Sequence, residues 1–159
     1  MGNFHKDLKY GNLGEFYISS KLQYELMWMY IGHSPDGTKG WDMSFSTGFR
    51  YNSDCNKRID DIVKVECKTD KHFYKNNYDT GNIVVEISSN GNPSGIKTTT
   101  SDYWINLFQF NRQIWIIETK KLKELINLNP WFPIIDMGDG ARGYQIPRAM
   151  FSEWFWIII

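Results

Sequence analysis

Val63-Lys64-Val65-Glu66-Cys67-Lys68-Thr69-Asp70 is the stretch on which the fold of this 159-residue chain turns. The run from Ile59 to Cys67 is rich in β-branched residues and reads as a strand. It ends abruptly in the polar stretch that starts at Asp70. Side chains two positions apart on a strand share a face, so Glu66 and Lys68 stand side by side at the strand's end. Upstream, Trp41 to Ser46 alternates apolar Trp41, Met43 and Phe45 with polar Asp42, Ser44 and Ser46, which is a second strand. The loop from Gly48 to Lys57 is long enough for a hairpin, and this would bring Asp42 towards Glu66.

Working outward, Leu8 to Met29 reads as a helix. Leu13, Phe16, Tyr17, Leu22, Leu26 and Met29 fall near a 3.6-residue period, and Asn12 is a candidate cap. Asn82 to Ser89 and Gln113 to Glu118 read as further strands, the latter holding the apolar run Ile114 to Ile117. Thr119 to Asn127 reads as a short basic helix. Trp131 to Asp136 and Gly143 to Ile146 suggest two strands around the Gly138-Asp139-Gly140 turn, and Pro147 opens a short helix. Thr98 to Asp102 offers helix caps, and the segment through Tyr103, Trp104 and Leu107 reads as a helical turn or a strand. Turn signals mark Pro35-Asp36-Gly37, Asn52 to Lys57, Asp70 to Asn82 and Asn90 to Gly95, the last excluded from regular structure. The order of elements predicts one mixed α/β domain over residues 1–159.

Composition narrows the function. Seven Trp, nine Tyr and ten Phe supply a sizeable core and argue against disorder. Eighteen basic and eighteen acidic residues leave zero net charge, which disfavours a protein that coats nucleic acid and leaves room for an enzyme. Cys55 and Cys67 are too few for a disulfide framework and lack zinc-site spacing, so a reducing, cytoplasmic compartment is expected. No charged segment followed by an apolar run opens the sequence, so no signal peptide is expected, and the apolar Trp154 to Ile159 is too short to span a bilayer. That tail reads as a buried final strand or as an edge offered to a second copy in a homodimer. His5, His33 and His72 share no spacing and read as loop residues. Lys120, Lys121 and Lys123 read as the solvated face of a helix.

Carboxylates and a lysine at neighbouring strand ends suit one chemistry. Mg²⁺ takes oxygen ligands, usually one or two carboxylates with water and substrate phosphate. A nearby lysine orients the water and adds positive charge. Asp60 and Asp61 rival Asp42 as the aspartate. They share a strand with Glu66 and stand about 17 to 20 Å from it at the usual rise, too far for one ion to bridge, so Asp42 is preferred.

Asp42, about two dozen residues, then Glu66-Cys67-Lys68 at a strand end resembles the PD-(D/E)xK nuclease superfamily, which includes restriction endonucleases, phage nucleases and archaeal-type Holliday junction resolvases. Tyr10-Gly11-Asn12-Leu13-Gly14-Glu15 is similar to the Gly-x-x-Gly-Glu helix start of the resolvase-like branch. Asn82 to Ser89, with Asn92-Pro93-Ser94-Gly95-Ile96 and Ser101-Asp102-Tyr103-Trp104, is similar to a stretch in small phage-encoded members. The resemblance covers roughly residues 8 to 105. The superfamily's proline before the aspartate is replaced by Trp41.

The resemblance implies a restriction-endonuclease-like mixed sheet of four to five strands flanked by helices, with the Asn82–Ser89 strand beside the Glu-x-Lys strand. It implies a Mg²⁺-dependent DNA endonuclease, with Mn²⁺ able to substitute, that hydrolyses phosphodiester bonds. The metal would be held by Asp42, Glu66 and the Cys67 backbone carbonyl. Lys68 would position the attacking water, Glu15 would assist, and Glu86 would support the site without ligating. Ser94, Lys97 and Thr98 would donate to phosphate oxygens. The alternative is a non-catalytic DNA-binding or protein-interaction module on the same fold.

Overall fold

Helix α1 (Asn3–Glu25) lies across a sheet because one of its stripes is small and apolar. Gly14, Ile18 and Leu22 recur at four-residue steps, and Ile18 and Leu22 are fully buried. Burying each of these side chains contributes roughly 1.5–3 kcal/mol. The helix ends where the Leu22 carbonyl accepts from the N–H groups of both Leu26 and Trp28, with Met27 in the left-handed region at φ 55°. The computed structural model describes residues 3–35, 40–52, 57–70 and 79–159. Asp36, Gly37, residues 53–56 with Cys55, and residues 71–78 with His72 fall outside them, and with them most of the expected turns at Asn52–Lys57 and Asp70–Asn82.

The reversal at Met27 leads into β1 (Met29–His33), which pairs antiparallel with β2 (Met43–Asn52). β2 pairs antiparallel with β3 (Lys57–Asp70) in the register Met43 opposite Val65, as the hairpin reading expects. β3 then pairs in parallel with β6 (Tyr103–Phe108), β6 antiparallel with β7 (Gln113–Glu118), and β7 antiparallel with β10 (Trp156–Ile158). Six strands in the order β1-β2-β3-β6-β7-β10 make a mixed sheet. Four more make a separate antiparallel sheet in the order β5-β4-β9-β8, from β4 (Asn82–Ser89), β5 (Asn92–Pro93), β8 (Ile134–Gly138) and β9 (Ala141–Pro147). The helices α2 (Thr119–Leu128) and α3 (Arg148–Phe151), with 3-10 turns at Gly95–Lys97 and Ser152–Trp154, complete the described elements.

The fold is therefore α/β with a mixed sheet, but that sheet has six strands rather than four or five. Only one of its faces is covered by a helix alone. Ile18 and Leu22 of α1 pack on Val65, Cys67, Ile105, Leu107 and Ile114 there. On the other face Trp104, Phe108 and Trp115 pack against Ile83, Val85 and Ile146 of the second sheet and Leu122 of α2.

The strand beside β3 is β6, not β4. A strand buried on both faces must be apolar on both, and Trp104-Ile105-Asn106-Leu107-Phe108 is buried at every position. In β4, Ile83, Val85 and Ile87 are buried while the residues between them are half-exposed, the pattern of a sheet with one covered face. The Asn90–Gly95 turn also contains regular structure. Asn90 and Gly91 both take positive φ, at 49° and 78°, and close a tight hairpin onto β5. The apolar tail forms the final strand, but not a buried one: β10 is an edge strand whose Trp156 and Ile157 are exposed, and only Phe155 before it is buried.

Candidate active site at the β2–β3 strand ends

Asp42 directly precedes β2, and its backbone N–H donates to the Val65 carbonyl at 2.8 Å. The ladder ends with Met43 opposite Val65, and Asp42, just beyond it, lies close enough to Glu66 to act on its carboxyl. The Asp42 Oδ2 accepts from the Cys67 backbone N–H at 2.6 Å. A strand residue presents its N–H and C=O to the same neighbour, so the Cys67 carbonyl faces the Asp42 side as well.

Glu66 and Lys68 lie on the face of β3 opposite Val65 and Cys67. The Lys68 Nζ is 2.7 Å from Glu66 Oε1, and it lies 5.6 Å from the Trp104 ring centroid. Trp104 is the register partner of Glu66, and Asn106 that of Lys68. The Trp104 indole N–H donates to Asn106 Oδ1 at 2.9 Å, which holds the ring as a fixed shelf below the ammonium.

Glu15 arrives from α1. A Cβ on Gly14 would stand 2.0 Å from Thr69 Oγ1 and 3.1 Å from Thr69 Cβ. Only glycine lets the helix approach β3 this closely, and the next residue is brought beside the site. Burial pushes the Glu15 carboxyl above its ordinary value, and Asp42 and Glu66 push it the same way against His33 and Lys68. Glu66 is also pushed up, first by burial and then by Asp42 and Glu86, although Lys68 pulls it down. Burial works against the Lys68 ammonium, but Glu66, Asp42 and Glu86 outweigh it and its pKa rises. The Cys67 thiol is buried and unoxidised, and desolvation raises it well above the ordinary value.

Asp42, Glu66, Lys68 and Glu15 are thus brought together. Glu86 comes from the second sheet, close enough to act on Glu66 and Lys68, and its Oε1 accepts from Ser94 Oγ at 2.5 Å. Ser94 is therefore committed to Glu86, while Lys97 and Thr98 are exposed on the 3-10 turn that follows. Asp61 lies well upstream on β3. His33, expected in a loop, is the last residue of β1, with its Nδ1 3.5 Å from Glu15 Oε2. Nothing local in the sequence marks that pair, because the strand carrying His33 follows a helix whose apolar period runs on to Met29.

Among the described residues no three His, Cys, Asp or Glu side chains are close enough to hold a metal ion by themselves. Mg²⁺ does not require that, since one or two carboxylates suffice with water and phosphate. The donor set is hard oxygen, and Glu15 and Glu66 are each strained by burial and negative neighbours, which a cation would relieve. The residues present fit such an ion. A groove of about 640 Å³ opens separately, lined by Val63, Thr100, Asp102, Tyr103, Lys120 and Lys123 among others. None of the four site residues lines it. Among the described residues no helix is long and apolar enough to cross a membrane. No protein-family model, no curated protein and no solved structure matches this chain.

Proposed function

We propose that the chain is a Mg²⁺-dependent DNA endonuclease of PD-(D/E)xK type, on a restriction-endonuclease-like arrangement of α1 over the mixed sheet. The observation that carries this reading is the convergence of Asp42, bonded to the Cys67 N–H, on Glu66, with Lys68 paired to Glu66 and Glu15 alongside. Asp42, Glu66 and the Cys67 carbonyl would hold the ion. When bound, it supplies an activated water and neutralises charge building on the phosphate. Lys68, held on the Trp104 shelf, orients the water for in-line attack on phosphorus and presents its positive charge to the phosphate. Glu15, whose raised pKa suits a proton acceptor, assists in orienting that water. The attacking water gives up a proton to solvent as its oxygen bonds to phosphorus, the P–O ester bond breaks, and the leaving oxygen takes a proton from solvent. The cytoplasm would keep the Cys67 thiol reduced.

The alternative is a non-catalytic DNA-binding or protein-interaction module, and the closure of Glu66 onto Lys68 favours it, since that pair satisfies both charges without metal. Cleavage of linear, circular, single-stranded and branched DNA with Mg²⁺ or Mn²⁺ separates the two readings. A nuclease cleaves at least one substrate and loses that activity with chelator and in Lys68→Ala. A module cleaves none.

A further inference from the structure

We propose that Thr99 is a positioning residue for Asp42, acting through the carbonyl of Gly40. The catalytic meaning of this role rests on the nuclease reading, while the geometry stands without it. Thr99, Ser101 and Thr119 are all buried. The Thr99 hydroxyl donates to the Gly40 carbonyl at 2.7 Å, and the Thr100 backbone N–H donates to the same oxygen at 2.8 Å. Thr99 Oγ1 and Ser101 Oγ are 2.9 Å apart, and Ser101 Oγ and Thr119 Oγ1 are 3.0 Å apart.

A hydroxyl has one proton to give. Thr99 gives its own to Gly40, so Ser101 must donate to Thr99, and Thr119 must donate to Ser101. The chain therefore has one direction, from the first residue of α2 to the Gly40 carbonyl, and each bond polarises the next. Gly40 is itself clamped. Its φ is 103°, and an added Cβ would stand 3.0 Å from both the Thr100 nitrogen and its hydroxyl. Two residues later the chain reaches Asp42, whose N–H donates to the Val65 carbonyl at 2.8 Å, so the backbone that carries the aspartate is tied down on both sides of Trp41. Thr98 to Asp102, a run of candidate helix caps by composition, caps no long helix here. In the fold, the Thr99 and Ser101 hydroxyls fasten the aspartate's loop to the far side of β6.

The test compares Thr99→Val, which keeps the shape and loses the hydroxyl, with Thr99→Ser, which keeps it. Amide hydrogen exchange at Cys67 reports directly on Asp42, its acceptor. Thr99→Val should speed Cys67 exchange by about fivefold or more, the size of one net hydrogen bond. Thr99→Ser should stay near wild type, and the Ile116 amide inside β7 should be unchanged in both. If Thr99→Val does not fold, Thr99→Ala is read by the same criterion. Unaltered Cys67 exchange in the valine or alanine variant overturns the proposal, whether or not the protein cleaves DNA. In calorimetry, Mn²⁺ affinity should fall by about tenfold in Thr99→Val and recover in Thr99→Ser. If Cys67 exchange responds but the wild type binds no Mn²⁺, the positioning role stands and the nuclease reading falls.

Discussion

The backbone N–H of Cys67 donates to the Asp42 carboxylate at 2.6 Å, so a side chain continues the β2–β3 ladder beyond the last paired residues. One carboxylate oxygen, Oδ2, is engaged by the fold. Asp42→Asn keeps an acceptor for the Cys67 amide and removes the charge. Its thermal stability should stay close to wild type, while Mn²⁺ affinity and cleavage should fall by about 100-fold or more, beyond the loss seen when only a ligand's support is removed. Calorimetry and a cleavage assay on one preparation check both halves.

Lys68 holds down the pKa of a buried carboxylate that its surroundings push up. Lys68→Ala should therefore raise the Glu66 pKa further and cut cleavage by about 100- to 1000-fold. If Glu66 ligates the ion as proposed, it must be ionised to do so, and the acid limb of Mn²⁺ affinity against pH should move to higher pH in the variant. An unmoved limb would mean that Lys68 and Glu66 are not electrostatically coupled in solution.

Glu15 should trade stability for function. Its folded carboxyl titrates above the ordinary 4.5, so folding opposes its ionisation. The resulting destabilisation is absent below 4.5, grows as pH rises through the folded value, and persists at neutral pH. Glu15→Gln should thus unfold at a higher temperature than wild type at neutral pH, with the gain vanishing in acid, while its cleavage rate falls. Melting curves over the acid-to-neutral range read the sign.

Gly14→Ala should separate α1 from β3. The added methyl overlaps Thr69 Oγ1 and stands 3.2 Å from its Cγ2, so rotating the threonine exchanges one contact for another, whereas alanine leaves only the Cβ at 3.1 Å. A cost of about 1–3 kcal/mol is expected in denaturant unfolding. Thr69→Ala in the same chain should restore most of it, and a double variant no better than the single would place the clash elsewhere.

Much of this architecture is legible in the sequence, and the failures have physical causes. Asn82–Ser89 and Gln113–Glu118 match their strands end to end, because turn residues bound clear apolar patterns. β1 is missed because the helical period continues through Leu26 and Met29, and the left-handed turn at Met27 has no signature in an exposed methionine. The neighbour of β3 is not the strand the resemblance implies, and the burial pattern explains why: Trp104, Ile105, Leu107 and Phe108 put apolar side chains on both faces of β6. Asp42, Glu66 and Lys68 are readable because a hairpin and a two-residue step are local geometry. His33, the Trp104 shelf and the Thr99 hydroxyl chain are not, since each joins elements far apart in the chain.

The parallel pairing of β3 with β6 sets an order of assembly. Asp42 and Glu66 meet across a hairpin, a contact of short range that can form early. Trp104 comes from about forty residues beyond Glu66, after β4 and β5 have left the sheet and been laid across its other face. Closing so long a loop is slow, so the lysine's shelf is among the last parts to arrive. A partly folded chain would hold its carboxylates together with Lys68 unsupported, and cleavage activity should appear on refolding later than the hairpin itself.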